Sequence, residues 1–499
     1  MAVRAKHFTL RGGQWRWALL ALLVVAVVLG ATLVGRALVG HARRGVVVAP
    51  VPLGPLRVAA VTAPGTSYEH LALDVAAGHL VALAGAVPRS CPPTGACTLS
   101  SPSAAFVVLD SASGARITSA PFAGAAASAA HATLLLADPT THTAYAVAPE
   151  EVTRFSTENG QFEGGFLTPL ALGGTISGAT LGTAPGTLVL AGGATLAVVD
   201  ATSGVVRASR AIPSLAAGPV LDAATGQLFV LAGDPSSSAG TTLMALDTAT
   251  LAPRGQLALP AGTLGPIDST ARTLLYFGAD GTTYRIALDG PLGTSALAAA
   301  PDMRSALAAG WNATLRHTYR ATPDGLDALD TQSGRLLGTL PVRALQPAGQ
   351  PLLVDAARGL LYVPAAGGAV LIVRDAPASG ALDAATSLLL ARAALARFLP
   401  DTNQDPPFVA PETFPVAADP TAAGVAHDFW IHFSDLGWQG PYAGSAGVSV
   451  APDQRHSGGF VVTFRIAWYQ LFARSHTWVC AVAPDGSVAL QSDTGDAVP

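Results

Sequence analysis

The stretch Asp222-Ala-Ala-Thr-Gly226-Gln-Leu228-Phe229-Val230-Leu231 reads as a turn that feeds a strand. The Asp carboxylate closes an Asx turn on its own backbone, glycine tolerates the positive φ that completes it, and the apolar run leaves it extended. Asp355-Ala-Ala-Arg-Gly359 does the same for Leu360-Leu361-Tyr362-Val363. Working outward, the pattern is an Asp-like residue, a turn residue four positions on and an apolar strand residue seven positions on. It gives seven copies: Asp74/Gly78/Val81, Asp138/His142/Tyr145, Gly182/Gly186/Val189, Asp222/Gly226/Phe229, Asp268/Arg272/Leu275, Asn312/Arg316/Tyr319 and Asp355/Gly359/Tyr362. After a wider first step they recur every 40 to 46 residues. The third copy has lost its carboxylate at Gly182, and the fifth and sixth carry Arg at the turn.

A second turn series interleaves with the first, starting at Asp110, Ser156, Asp200, Asp247, Asp289, Asp330 and Asp375. Its best copies are Val199-Asp200-Ala-Thr-Ser-Gly204 and Leu329-Asp330-Thr-Gln-Ser-Gly334. Two strand–turn–strand signals per period suit a four-stranded antiparallel sheet, and a repeat of this length is the signature of a β-propeller. The expected fold is therefore an all-β seven-bladed β-propeller over residues 56–380, with an N-terminal transmembrane helix and a small C-terminal α+β domain. Ring closure covers sheet edges that would otherwise invite aggregation. No strong strand follows Asp375, so the apolar segment Leu56–Thr62 is expected to supply the outer strand of the seventh blade.

Leu360-Leu361-Tyr362-Val363-Pro364-Ala365, followed by a later Val-x-Asp-x-x-x-Gly, resembles the YVTN-type β-propeller repeat, and the resemblance covers roughly residues 56–380. It implies a seven-bladed disc with a central channel. The motif is structural and brings no catalytic residue with it. Related propeller groups include lactonases, cofactor-dependent dehydrogenases and binding scaffolds, and fold alone does not choose among them.

The chain is 499 residues long, 50% hydrophobic and 12% charged, with a net charge of −4. The charged share is about half the usual 25%. No basic stripe appears beyond the N-terminal flank, which argues against nucleic acid as a ligand. Lys6 is the only lysine. Downstream of it the chain therefore holds neither a Gly-Lys-Ser/Thr phosphate loop nor a Schiff-base lysine.

Trp17–Gly35 is nineteen residues without a charge. As a helix it spans about 28 Å, close to a bilayer core of about 30 Å. Arg4, Lys6, Arg11 and Arg16 precede it, and Arg36, Arg43 and Arg44 follow, a slight bias toward a cytoplasmic N-terminus. Gly40-His-Ala42 is a poor cleavage site and the apolar run is long for a signal peptide, so a retained anchor is expected. This divides the chain into a basic cytoplasmic segment (1–16), the span (17–35), a linker (36–55), the propeller (56–380), a helix (383–399), a Pro-rich linker (400–424) and a small α+β domain (425–499).

Cys91 and Cys97 bracket a loop, where a short disulfide would suit an oxidising compartment and two reduced thiols would also fit. That loop and Gly233–Gly240 lengthen the same connection in the first and fourth repeats. Insertions on one face often mark a binding face, though neutral loop drift produces them equally. Cys480 lies in the apolar run Trp478–Val482 and reads as a buried strand thiol. Beyond Pro400, Gly459–Ala467, Leu471–Ala483 and Ser487–Gln491 read as strands, with Ala483-Pro-Asp-Gly486 as a hairpin turn. A helix plus meander is shared with PepSY-like and nuclear-transport-factor-2-like folds, and no motif selects either.

Three local patterns carry possible chemistry. Asp401, Asn403, Asp405 and Glu412 have calcium-loop spacing, but Pro406 stands where that loop wants glycine, and Asx turns in a Pro-rich linker explain the same residues. Ala443-Gly-Ser445-Ala-Gly447 has the string of a nucleophile elbow without a strand before it or a helix after it, and reads as a flexible loop. His427, His432, His456 and His476, with Asp428, would form a site only if they converge in space. Asn312-Ala-Thr314 is a glycosylation sequon inside a repeat turn. None of these is assigned a catalytic, cofactor or metal role. The expected function is a membrane-anchored extracytoplasmic module that binds a protein, peptide or glycan partner in the envelope. The alternative is a propeller enzyme, lactonase-like or another hydrolase, acting at the central channel.

Overall fold

All seven turn residues of the first series adopt positive φ: +71° at Gly78, +52° at His142, +66° at Gly186, +65° at Gly226, +50° at Arg272, +56° at Arg316 and +64° at Gly359. In five of the turns the side-chain oxygen of Asp74, Asp138, Asp222, Asn312 or Asp355 accepts main-chain N–H groups two or three residues on. Gly182 cannot do this. There the turn is tied differently, by the Thr187 hydroxyl donating to the Ala184 carbonyl at 2.5 Å.

The computed structural model describes residues 47–48, 54–62, 66–86, 105–233, 240–268, 272–278, 282–288, 292–296, 308–312, 314–322, 325–342, 352–364, 369–375, 382–398, 422, 425–426, 444–469 and 473–495. These are nearly all β, in a β-propeller-like arrangement of seven four-stranded antiparallel sheets and one of five strands. Sheet 3 is typical: Ile176–Leu181, Thr187–Gly192, Thr195–Asp200 and Val206–Ala211, paired in chain order. The first strands of the seven sheets are Thr66–Asp74, Leu134–Asp138, Ile176–Leu181, Leu215–Asp222, Gly262–Asp268, Ala308–Asn312 and Leu353–Asp355. Each touches the next, and the seventh touches the first. Leu56–Val61 pairs antiparallel with Val370–Asp375 as the outer strand of sheet 7, the closure expected from the sequence.

The register corrects two members of the second turn series. Across the second and third strands, the residue following each first turn faces Asp110, Ser156, Asp200, Asp247, Ala287, Asp330 and Arg374. Ala287 and Arg374 therefore replace Asp289 and Asp375. An Asp close to a strand end imitates the turn signal, whereas side-chain alternation fixes the ladder. The correction makes the repeat more regular, narrowing the five shorter turn-to-turn spacings from 18–21 residues to 18–19. In all seven sheets the next N–H donates to the carbonyl of the first turn, as Ser111 does to Gly78 and Asp375 to Gly359.

Cores form between neighbouring sheets. Phe106 stacks on Phe155 with ring centroids 4.6 Å apart in the cluster joining sheets 1 and 2. Gly204 shows why the second turns carry glycine. Its φ is +71°, and a Cβ there would lie 2.6 Å from the Phe166 ring of sheet 2.

After sheet 7, Asp383 caps helix α1 (Ala384–Phe398): its Oδ1 accepts the Thr386 N–H at 2.7 Å. Thr386 Oγ1 in turn accepts the Val58 N–H at 2.9 Å, tying the helix to the outer strand of sheet 7. The spacing of Leu388, Leu389, Ala391 and Leu395 predicts one apolar face, yet Leu390 and Arg392 are buried too. The helix is covered on two sides, by sheets 6 and 7 and by the five-stranded sheet. That sheet consists of Val47–Val48, Val488–Gly495, Ala473–Val482, Phe460–Tyr469 and Gly444–Pro452 in spatial order. The predicted Ala483–Gly486 turn forms, with Gly486 N donating to Ala483 O at 2.9 Å. Gly444–Gly447, expected as a flexible loop, is instead strand, because a β-rich partner, Phe460–Tyr469, pairs along its whole length.

Trp17–Gly35, Cys91, Cys97, residues 234–239, Asp401–Glu412, His427, Asp428 and His432 lie outside the described residues. Among the described residues no helix is long and apolar enough to cross a membrane.

Candidate functional site

Three first-series carboxylates, Asp74, Asp138 and Asp222, do two jobs: one oxygen closes the local turn, and the other reaches the neighbouring sheet. Asp74 Oδ1 accepts from Ala76 N at 3.1 Å and Ala77 N at 3.0 Å, while Oδ2 accepts from Thr157 Oγ1 at 2.5 Å and His142 Nδ1 at 2.9 Å. Four donors fill the acceptor sites of this buried carboxylate. Burial works against its ionisation, but the hydrogen bonds from Thr157, His142 and Ala77 outweigh it and hold the carboxyl below its usual range. In return, the hydrogen bond to Asp74, together with its charge, raises His142 above the ordinary imidazole value. Asp222 repeats the plan between sheets 4 and 5, with Thr225 Oγ1 at 2.5 Å and a short contact from Arg272 Nη1.

Every boundary between consecutive sheets carries a hydrogen bond made by a side chain, at four of them to a carboxylate. Beyond the two above, Gly186 N donates to Asp138 Oδ2 at 3.3 Å, and Arg210 Nη1 to Leu251 O at 3.3 Å. Arg285 Nη2 donates to Thr331 O at 2.7 Å, His317 Nδ1 to Asp375 Oδ2 at 2.6 Å, and Arg358 Nη1 to Ser111 Oγ at 2.7 Å. The last joins sheet 7 to sheet 1. At the boundary of sheets 6 and 7 the Tyr319 hydroxyl also donates to Asp375 Oδ2 and lies beside the Asn312 side chain. Burial, with the Asp375 charge, pushes the Tyr319 hydroxyl well above its ordinary value, so it remains a donor.

The residue preceding the opening position of each first-series turn is apolar on its first strand, half-buried at Leu73, Leu181, Leu221, Ile267, Trp311 and Val354 and buried at Ala137. Arg320 and Asp327 form a buried pair within sheet 6, through Arg320 Nε at 3.0 Å and Nη2 at 2.5 Å, with Thr339 Oγ1 donating to the other Asp327 oxygen at 2.7 Å. Both groups are thereby matched, which fits a structural pair.

The connection from sheet 2 to sheet 3 lies at the end of the strands opposite the turns, as antiparallel pairing requires. It exposes apolar side chains: Leu167 is 75% and Leu170 99% accessible. Both surround Pro169 and a short 3₁₀ turn, Leu170–Leu172, whose Leu172 is buried. This patch left no periodic signal in the sequence, because a Thr-Pro-Leu-Ala-Leu connection resembles any loop entering a core.

Of the sequence candidates, His456 Nδ1 donates to Asp453 Oδ2 at 2.8 Å in an exposed turn, and His476 stands on the strand Ala473–Val482. Among the described residues no group of three or more His, Cys, Asp or Glu side chains is placed to hold a metal. Ser445 lies within a strand, without the strand-to-helix turn a nucleophile elbow needs. Cys480 is buried as expected, and burial pushes its thiol up to about 12. Asn312 is buried and its oxygen holds a turn, so the sequon is closed to modification in the folded chain. No protein-family model matches the chain, and no curated protein is significantly similar to it.

Proposed function

We propose that this chain is a membrane-anchored, extracytoplasmic binding or scaffold module. It is built on a closed seven-bladed propeller of YVTN type, with the Trp17–Gly35 segment as its single span. The cyclic contacts of the first strands and the Leu56–Val61 pairing support closure. The observation that carries the binding role is that Leu167 and Leu170, the two most exposed large apolar side chains among the described residues, stand three residues apart in one connection. At the turn end the acids are taken up in holding sheets together. At the other end Leu167 and Leu170 stand open to solvent. An apolar pair beside main-chain groups fits a protein or peptide better than a glycan, since large exposed apolar side chains gathered together mark protein contact sites. The described strand ends that flank the two lengthened connections, Ala86 and Ala105 in sheet 1 and Ala232 and Thr241 in sheet 4, lie at that same end.

The test is photo-cross-linking in intact membranes, with a reactive residue placed at Leu170 or, for comparison, at Val205 on the turn side. A discrete adduct from Leu170 alone is expected. Adducts from neither position, or equally from both, would refute the assignment of the face. The anchor is tested separately: the full chain is expected to stay with the membrane through alkaline washing and a chain lacking residues 1–35 to be released. Release of the full chain removes that part of the proposal.

A further inference from the structure

The outer strands of the seven four-stranded sheets are guarded against pairing. Six carry a bulge, with Ala59, Ile117, Glu163, Arg207, Arg254 or Leu337 as the extra residue, and the remaining one, Gly293–Ala296, is only four residues long. Bulges, charges and shortness are the devices by which natural sheets blunt their edges. The five-stranded sheet ends differently. Its edge strand Gly444–Pro452 is nine residues long, pairs with Phe460–Tyr469 without a register shift, and contains no charged residue. Among the described residues its other side has no strand partner.

We propose that this edge pairs with the same edge of a second copy of the chain, making one continuous ten-stranded antiparallel sheet across a two-fold axis. The sequence Gly-Ser-Ala-Gly-Val-Ser-Val-Ala-Pro is suited to meeting itself. Side chains directly opposite in an antiparallel pair lie on the same face. The register that overlaps all nine positions is therefore centred on Val448, with Gly447 opposite Ser449, Ala446 opposite Val450 and Ser445 opposite Ala451 of the second copy. Every such pair is small, and none sets like charges together. Val448 and Val450 are only partly buried and pack on the rim of the core that α1 shares with this sheet. Self-pairing covers that rim with its own counterpart and joins two cores along one seam. Nine residue pairs, alternately bonded, give about eight main-chain hydrogen bonds, Pro452 having no N–H to donate, within the number usual for a specific interface. The Val47–Val48 strand, which brings the chain in from its N-terminal segment, occupies the opposite edge and stays clear.

The test is the mass of the full chain in detergent micelles at tens of micromolar, with directed cross-linking beside it. Wild type is expected as a dimer. Ser449→Lys, at an exposed position on this edge, is expected to weaken the dimer at least tenfold and give monomer. Val448→Cys is expected to form a disulfide-linked dimer under mild oxidation, above the background of the native cysteines. Ala451→Cys should not, since six residues of offset put the two copies about 20 Å apart. A monomeric wild type overturns the proposal. So does a Ser449→Lys dimer as tight as wild type, or Ala451→Cys linking as readily as Val448→Cys.

Discussion

The Thr157 hydroxyl donates to Asp74 Oδ2 at 2.5 Å, across the boundary between the second sheet and the first. The bond joins the two turn series: Asp74 opens a first-series turn, and Thr157 follows Ser156, the start of a second-series turn. Removing the hydroxyl leaves a buried carboxylate short of a donor, which costs about 1–3 kcal/mol. Thr157→Val is therefore expected to destabilise by that amount. Asp74→Ala should cost more, because it opens the turn and strands His142 as well. Denaturant midpoints check both; a Thr157→Val protein as stable as wild type would show that the bond contributes nothing net.

The same node recurs between sheets 6 and 7 with its partners exchanged. Asn312 holds the Asp74 position, and Asp375 holds the Thr157 position, one residue beyond the start of the second turn. Each boundary thus keeps one carboxylate, on opposite sides. Asn312→Asp is expected to place two carboxylates around the Tyr319 hydroxyl and lose about 2–4 kcal/mol, since like charges in one buried site cannot both ionise. Adding Asp375→Thr recreates the sheet 1–2 arrangement and should recover most of the loss. A double-mutant cycle in denaturant gives the coupling, and additive losses would contradict the exchange.

Much of this was legible in the chain. Turn spacing pointed to the seven sheets, and the lack of a strand after Asp375 pointed to Leu56–Thr62, of which Leu56–Val61 forms the strand, because local turn chemistry and missing sheet partners leave their marks in sequence order. What was hidden depends on the third dimension. The second oxygen of Asp74 reaches His142 and Thr157, 68 and 83 residues away, and no local pattern encodes such a reach. Asp375 imitated a turn residue because a carboxylate beside a strand end looks alike whether it caps a turn or crosses to a neighbour. Gly444–Gly447 looked like a loop because small residues are poor strand formers until a partner supplies the ladder.

Arg272 and Arg316 hold the same left-handed turn conformation for different returns. Arg272 pairs with the buried Asp222. Arg316 is exposed, with φ of +56°. A non-glycine residue in this region costs about 1 kcal/mol relative to glycine. Arg316→Gly is expected to stabilise by up to about that amount. Arg272→Gly should instead destabilise, since the relief of strain is smaller than the loss of a partner to a buried carboxylate. Thermal midpoints that move in the same direction for both would rule out this distinction.

Protonation of His142 gives the turn face a defined pH response. Its folded value lies above the ordinary 6.5, so its contribution is fully present below 6.5 and is lost as pH rises through the raised value. Asp74 runs the other way: its folded value lies below the ordinary 3.8, so its contribution is present above 3.8 and is lost as pH falls through the depressed value. Between those limits the pair is intact, and the boundary of sheets 1 and 2 is tightest in mildly acidic solution. Glu158 and Asp138 add to the raising of His142 by Asp74, which carries the end of the alkaline loss further above 6.5. His142→Gln keeps a polar side chain but cannot titrate. Its stability difference from wild type is expected to be largest near pH 5 and to shrink as pH rises past 7, while the fall in acid remains, since Asp200, held at about 2 by Arg207 and its turn, and Asp247, held at about 2 by Thr250 and Arg254, also act there. Urea midpoints from pH 4 to 9 measure this, and a wild-type minus variant difference that stays constant across the range would sever His142 from the stability of the fold.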